Sequence, residues 1–249
     1  MLIKARSSKG TKRFYGQLMQ GKVRRGLLGT EKRFNANAII GKESVQRYFT
    51  EVVAPHISTK DCVLDLGCGT GGFALALAPL CKEVVAIDIV EDFVEATTSL
   101  VIKHQLTNVS VIYQDSEQIP AEDQGFDVVL LVDVIHHLEN IDQVLKEVIR
   151  VLRPGGRLLI FEPNKLNPLM FLMHLVDRNE WGLLRLGRPR IYKKRLADYF
   201  EVDSIYFSGL VIGPDSGIFL KIANFLNKPM IYPLFGWLLP KIFIVGRKN

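Results

Sequence analysis

The chain of 249 residues is 48% apolar and 23% charged, which is enough for one domain with a sizeable core. Its three cysteines form no Cys-x-x-Cys pair, so we expect free thiols in a reducing, cytoplasmic setting. The N-terminus lacks the apolar core of a secretory signal, and the C-terminal apolar runs fall short of the ~18 residues of a membrane span.

The positive charge of the chain is concentrated at its N-terminus. Residues 1–33 hold ten Lys or Arg against one Glu, so this arm carries +9 and residues 34–249 carry −3. Such an arm is most often a flexible, solvated tail, and we predict one here. The alternative is contact with an anionic membrane surface or a phosphorylated substrate.

After the arm, apolar residues at helical spacing predict a helix from Glu43 to Val53. Short, β-branched runs then recur with helical segments between them, which is typical of parallel strands covered on both faces. These runs are Val63 to Leu66, Val84 to Ile87, Val109 to Tyr113, Val128 to Val132 and Arg157 to Phe161. The pattern predicts a single α/β domain over residues 34–249.

The helix before the fifth run has the clearest amphipathic pattern. Its apolar stripe is Ile141, Val144, Leu145, Val148, Ile149 and Leu152, and Pro154-Gly155-Gly156 is expected to end it. We therefore expect this helix to pack on the sheet.

The first run leads into glycines and then directly into a helix-forming stretch, Ala74 to Ala78. Backbone can approach a ligand closely at such a turn, and the unpaired N–H groups of the helix point at that ligand. The spacing of Gly67, Gly69 and Gly72 also fits nicotinamide-binding folds, with Asp88 at about the right distance downstream. The turn alone leaves both cofactors open.

Acidic residues stand at or just beyond the end of each apolar run: Asp65, Asp88, Asp115, Asp133 and Glu162. The carboxyl ends of parallel strands meet at one edge of a sheet, which is where ligands bind. Any one of these residues could instead be a helix cap or a turn former. Five in register with five strands favour a binding site.

Taken together, the motifs resemble a class I S-adenosylmethionine-dependent methyltransferase over roughly residues 45–165. The matching stretches are Val63 to Gly71, Asp88, Gln114-Asp115-Ser116, Phe126-Asp127, His136-His137-Leu138 and Leu152 to Gly156. The resemblance implies a Rossmann-like three-layer sandwich whose seven-stranded sheet is mainly parallel with its last strand antiparallel. A nicotinamide enzyme would have no use for Asp115 or for the Pro-Gly-Gly turn.

The resemblance also implies S-adenosylmethionine as the cofactor. We expect Asp88 to accept from both ribose hydroxyls, Asp115 from the adenine amino group, and Asp65 to reach the methionine ammonium directly or through water. Ile89 is expected to pack against the adenine face. The complete predicted cofactor set is Asp65, Gly67, Cys68, Gly69, Gly71, Asp88, Ile89, Asp115, Ser116, Val132 and Asp133, and no metal site is predicted.

An oxygen acceptor would benefit from a general base, for which His137 or His136 and Glu162 are candidates because they follow the fourth and fifth strands. The alternative is that all three are scaffold. If one of these residues is a general base, methylation at oxygen or carbon is favoured over methylation at nitrogen.

The acceptor is expected to be a small or lipid-like molecule, covered by apolar insertions at about 163–190 and 208–240. These stretches could also be core helices, a dimer face or a membrane-interfacial patch. Nucleic acid is an improbable partner, since strand four is not followed by an Asn/Asp-Pro-Pro-aromatic motif and the basic arm lacks interleaved aromatics. The competing hypotheses are a non-catalytic S-adenosylmethionine-binding protein and a protein or nucleic-acid methyltransferase that docks through the arm.

Overall fold

The computed structural model describes residues 8–22, 36, 41, 43–176, 181–210 and 217–249. Its strands are β1 (Cys62–Leu66), β2 (Glu83–Asp88), β3 (Val109–Tyr113), β4 (Phe126–Val132), β5 (Leu152–Pro163), β6 (Glu201–Ser208) and β7 (Lys241–Arg247). Its α-helices are α1 (Ser8–Met19), α2 (Glu43–Tyr48), α3 (Gly72–Leu77), α4 (Glu91–Lys103), α5 (Ile141–Val151), α6 (Pro168–Val176), α7 (Gly182–Leu186), α8 (Pro189–Leu196), α9 (Gly217–Leu226) and α10 (Tyr232–Phe235). A π-helical turn, Phe49–Val53, continues α2.

The strands form one sheet in the order β3-β2-β1-β4-β5-β7-β6. Neighbours from β3 to β5 pair in parallel, whereas β7 runs antiparallel to both β5 and β6. The predicted mainly parallel, seven-stranded sheet with an antiparallel last strand is confirmed. Strands β1 to β6 therefore end at one edge, called the carboxyl edge below, and β7 begins there.

Apolar side chains fill both faces of the sheet, as the uninterrupted apolar strands predicted. The predicted stripe of α5 packs on one face, where Val144, Leu145 and Val148 are fully or almost fully buried. Asn140 caps this helix, its side-chain oxygen accepting from the N–H of Gln143 at 3.3 Å. Helices α2 and α3 cover the other face. The result is the expected three-layer arrangement.

Strand β5 begins earlier than the sequence indicated. The Pro154-Gly155-Gly156 turn was expected to precede the strand, but Leu152 already pairs with Phe126 of β4. The register between the two strands then shifts, so that the next pair is Val128 with Arg157. The turn is thus an irregularity within β5, which the motif could not reveal because it depends on pairing with β4.

The N-terminal segment differs from the expected flexible arm over residues 8–19, which form helix α1. The buried ring of Tyr15 packs against Phe93 of α4 with ring centroids 5.7 Å apart. Phe14, Leu18 and Met19 contribute to the same small cluster. Charged residues surround these apolar positions in the sequence, so the sequence did not predict this apolar helix face. The rest of the predicted arm, residues 1–7 and 23–33, lies outside the described residues.

Helices α6, α9 and α10 lie at the carboxyl edge, within or next to the stretches predicted as insertions. Asn164, which is fully buried just after β5, joins the segment before α6 to the segment before β7. Its amide nitrogen donates to the carbonyls of Trp237 and Leu239 at 2.7 and 2.8 Å, and its oxygen accepts from the N–H of Leu166. Within the described part of the chain, no helix has both the length and the apolar character needed to span a bilayer.

We expect Asn164→Ala to lower the free energy of unfolding by about 2–4 kcal/mol, because buried backbone groups lose their partners. Urea unfolding followed by circular dichroism measures this. Asn140→Ala, which removes an exposed helix cap, is the control and should cost only about 1 kcal/mol. A cost for Asn164→Ala no larger than that of the control would contradict the tethering role.

Candidate active site

A pocket of about 190 Å³ opens at the carboxyl edge, between the ends of β1, β2 and β4 and beneath helix α1. Four of the five acidic residues that follow strands line it, namely Asp65, Asp88, Asp115 and Asp133. The fifth, Glu162, does not line the pocket. The prediction that these strand ends come together at one edge is confirmed by the sheet order.

The turn after β1 forms one wall of the pocket and requires glycine at two positions, Gly67 and Gly71. Gly67 has φ +80°, and a Cβ there would lie 2.4 Å from Cγ2 of Val134. Gly71 has φ +83°, and a Cβ there would lie 2.7 Å from Cγ2 of Thr97 in α4. Gly67 lines the pocket, whereas Gly71 allows α4 to pack against the turn.

The turn is held in shape by side chains from two other elements. The Thr97 hydroxyl donates to the carbonyl of Gly69 at 2.9 Å. Asp88 accepts from the N–H of Gly69 at 2.8 Å through one oxygen and from the N–H of Val90 at 2.9 Å through the other. Asp88 therefore fixes the turn as well as facing the pocket.

Asp65 and Asp88 are both buried, and this shifts their acidity. Burial, with the nearby Asp88 charge as a second cause, raises the pKa of Asp65 to about 7. Burial raises the pKa of Asp88 to about 6, although its backbone hydrogen bonds act in the opposite direction. The Oδ2 atom of Asp65 has no hydrogen-bond partner among the described residues. A cation or a hydrogen-bond donor in the pocket would satisfy it.

The two ends of the pocket differ in chemistry. Ile89, Gln114, Asp115 and Ser116 line the end near β2 and β3. One Asp115 oxygen accepts from the N–H of Glu117 at 3.0 Å, which orders this loop. This end offers an apolar side chain beside polar acceptors, a combination suited to a flat, hydrogen-bonding ring.

After β4 the chain turns sharply at Asp133, which has φ +59°, a conformation that Asp tolerates better than most residues. The Asp133 carboxylate forms an ion pair with the buried Lys241 at the start of β7. Val132, Asp133, Val134, His137 and Leu138 line the pocket on this side.

His136 and Glu162 lie behind the pocket wall. The fully buried Glu162 carboxylate accepts from the N–H groups of Val134 and Ile135 at 3.0 and 2.8 Å. Its other oxygen is 2.6 Å from Nδ1 of His136 and accepts from the Tyr192 hydroxyl at 3.1 Å. Both residues are thus engaged in holding the turn after β4, and neither lines the pocket. The expectation that they act as acid–base groups is not supported by this geometry.

His137 does line the pocket, where the Tyr15 hydroxyl lies 3.2 Å from its Nε2 atom. The two rings meet edge to face with centroids 5.7 Å apart. This contact joins helix α1 to the turn after β4 across 122 positions of sequence. Of the three candidate catalytic residues, only His137 is placed to contact a molecule in the pocket.

Of the predicted cofactor residues, all but Gly71 line the pocket. Sequence reasoning missed several residues that also contact the pocket or support it: Thr11, Tyr15, Phe73, Phe93, Gln114, Leu138 and Thr97. Gln114 and Leu138 belong to two of the motifs that carry the family resemblance, and those motifs are the signal that indicates them. Tyr15 and Thr97 belong to helices whose packing no local motif indicates.

Comparison with known proteins gives a consistent result. A family model described as "Methyltransferase domain" matches residues 57–198. The uncharacterized methyltransferase YcgJ of Bacillus subtilis is 29% identical over 137 residues, covering 53% of this chain and 54% of YcgJ. A ubiquinone biosynthesis O-methyltransferase of Rickettsia felis is 31% identical over 177 residues, covering 67% of this chain and 71% of the relative. The chain spans about half or less of the length of several other curated relatives.

Among solved structures, the [4+2]-cyclase SpnF is similar over 99% of this chain and 97% of its own, with a TM-score of 0.65 and 18% identity. At this identity the likeness concerns the fold alone. It covers the helices added outside the region that the family model matches.

The raised pKa values predict that stability of the ligand-free protein falls as pH rises. Between about pH 4, where these carboxyls titrate in the unfolded chain, and pH 7, the folded state holds more protons than the unfolded state. The free energy of unfolding should therefore decrease across this window by a few kcal/mol, and Asp65→Asn should remove part of the slope.

Urea unfolding at pH 5 and pH 8 measures this difference. The exposed Asp198 provides a matched control, since Asp198→Asn should leave the difference between the two pH values unchanged. If Asp65→Asn and Asp198→Asn behaved alike, Asp65 would not be the buried acid described above.

Proposed function

The chain belongs to the class I S-adenosylmethionine-dependent methyltransferases, and we propose that it methylates an apolar, small-molecule or lipid-like acceptor at oxygen or carbon. The observation that carries this proposal is the pairing of His137 with Tyr15 at the border of an otherwise largely apolar part of the pocket. Val134, Leu138 and Phe73 are among the apolar residues that line the pocket.

S-adenosylmethionine is the cofactor of this family, and the pocket fits it. The unpartnered Oδ2 of Asp65 suits the ammonium group, and the glycine turn leaves room for the methionine portion. Asp88 and Asp115 are proposed to hold the ribose and the adenine. When bound, the cofactor supplies a methyl group activated by a sulfonium.

The chain's own residues then align the acceptor, exclude water and remove a proton. An oxygen or carbon acceptor loses a proton when its new bond to carbon forms, and a base that takes it up lowers the barrier. We assign this role to the imidazole of His137, whose ring the contact between its Nε2 atom and the Tyr15 hydroxyl helps to position. An amine with a free electron pair would have less need of such a base, which is why nitrogen is the less favoured target.

The relatives agree with a small acceptor. The Rickettsia felis protein is named for O-methylation in ubiquinone biosynthesis, and this chain covers 71% of it. Two other hypotheses remain to be separated by experiment: a protein that binds the cofactor without turnover, and methylation of protein or nucleic acid through the N-terminal arm.

The decisive experiment uses the full-length protein, S-adenosylmethionine with a tritiated methyl group, and an extract of the source organism. The extract is then separated into organic-soluble, water-soluble small-molecule, protein and nucleic-acid fractions. We expect label in the organic-soluble fraction. Asp88→Ala is the control, since losing hydrogen bonds to this carboxylate should weaken cofactor binding by about ten- to a hundredfold.

Label confined to protein or nucleic acid would replace the proposal with the docking hypothesis. Cofactor binding by calorimetry without label in any fraction would favour the non-catalytic hypothesis.

The two histidines give a second test. His137→Gln should lower kcat for the labelled acceptor at least a hundredfold while cofactor affinity and the unfolding free energy stay close to wild type. His136→Gln should instead lower the unfolding free energy, because it disturbs the buried Glu162. Tyr15→Phe keeps the ring packing and removes only the hydroxyl, so this variant measures what the hydroxyl contributes to kcat. Equal kcat in wild type and His137→Gln would remove His137 as the base.

A further inference from the structure

Large apolar side chains are exposed mainly in one region of the molecule. Of the thirteen that are exposed among the described residues, eleven lie between positions 169 and 237. These are Leu169, Phe171, Leu172, Leu175, Ile218, Ile222, Phe225, Met230, Leu234, Phe235 and Trp237, which we call the apolar edge surface. Concentrations of this kind mark sites of interaction with proteins or membranes.

Helix α9 shows that this exposure is organised. Ala223 and Leu226 point inward and pack with Leu239. Ile222 and Phe225, on the other side, are 49% and 52% exposed. A helix that is apolar on both sides is made to contact two partners, and the domain supplies only the inner one.

The parts of the surface are joined at the carboxyl edge. Asn164 and Asn167, next to α6, donate to carbonyls of residues 237–239. The segment before β7 also packs against α9. Since α6 and α9 follow β5 and β6, and β7 begins here, the surface lies on the same edge of the sheet as the pocket.

The charges around the apolar edge surface indicate what kind of partner it contacts. Residues 163–176 and 217–240 contain no Asp or Glu. Lys221 and Lys228 are exposed among the apolar side chains, and the Lys228 ammonium lies 5.8 Å from the centre of the Phe225 ring. Lysines whose stems lie along apolar surface while their charges reach water are typical of proteins at a membrane interface.

A second copy of the chain is a less suitable partner. A two-fold interface brings the same patch of both copies together, so it would place Lys221 and Lys228 near their own counterparts without an acidic residue in these segments to balance them. Anionic lipid headgroups supply the missing negative charge. Trp237, 42% exposed with its indole N–H donating to the Leu234 carbonyl, adds an aromatic side chain suited to the headgroup region.

We propose that the apolar edge surface inserts into the interface of an anionic lipid bilayer. The exposed Lys9, Lys12 and Arg13 of α1, which lies over the pocket, add positive charge at the same edge of the sheet. Given the proposed function, an acceptor dissolved in the membrane would reach the pocket without crossing bulk water. Binding itself does not depend on that function.

The test uses the full chain and vesicles of phosphatidylcholine alone or with a quarter phosphatidylglycerol, without cofactor or acceptor. We expect flotation with the anionic vesicles only, weakening as sodium chloride is raised. Phe225→Ser combined with Trp237→Ala should reduce binding at least tenfold with little change in the unfolding midpoint. Ile102→Ser is the matched control, since Ile102 is 72% exposed near the end of α4, away from the carboxyl edge.

Charge and insertion can be measured separately. Lys221→Gln and Lys228→Gln should each weaken binding to anionic vesicles about fivefold. In a Trp181→Phe background, Trp237 is the remaining tryptophan, and its fluorescence should shift to shorter wavelength on binding. A large loss of stability in the Trp237→Ala variant would show that the side chain is a core element and would overturn the proposal.

Equal binding to neutral and anionic vesicles, or binding to neither, would also overturn it. A dimer in analytical ultracentrifugation that Phe225→Ser and Trp237→Ala dissolve would assign the surface to a second copy. Because these readouts need no turnover, a failure here is distinguishable from a failure of the labelling experiment.

Discussion

The geometry of the site depends on one buried carboxylate, that of Glu162. It accepts from two backbone N–H groups after β4, from the Tyr192 hydroxyl, and lies against His136. Taking a charge out of water is costly, and only a full set of donors offsets it. Because these donors come from two separate parts of the chain, the carboxylate fixes the turn that presents His137 to the pocket and joins helix α8 to that turn.

The pocket itself is built in the opposite way, with polarity that the protein leaves incompletely satisfied. Asp65 keeps a buried oxygen without a partner among the described residues, and its raised pKa is the electrostatic consequence. Both oxygens of Glu162 have hydrogen-bond partners within the protein, so this carboxylate stabilises the structure. One oxygen of Asp65 has none among the described residues, so this carboxylate is suited to contacting a ligand. Two carboxylates near the ends of β1 and β5 thus serve different purposes because their surroundings differ.

The sequence predicted best those features of the fold and the site that depend on residues close together in the chain. The strands, their order in the chain and the acidic residues at their ends could be recognised because each depends on a short pattern. Which of His136 and His137 is buried could not be predicted, because their ring centroids lie only 4.0 Å apart and the residue that holds His136, Glu162, is 26 positions away. The packing of α1 on the domain could not be predicted for the same reason, because Tyr15 contacts His137, which is 122 positions away.

Helix α1 lies over the pocket but takes no part in the pairing of the sheet. Tyr15 and a few neighbouring side chains join it to α4 and to His137, so it can separate from the domain without breaking a strand. Thr11 and Tyr15 of this helix line the pocket, so α1 contributes to the affinity for a ligand as well as covering it. Any separation of α1 from the domain would therefore raise the rates at which a ligand enters and leaves.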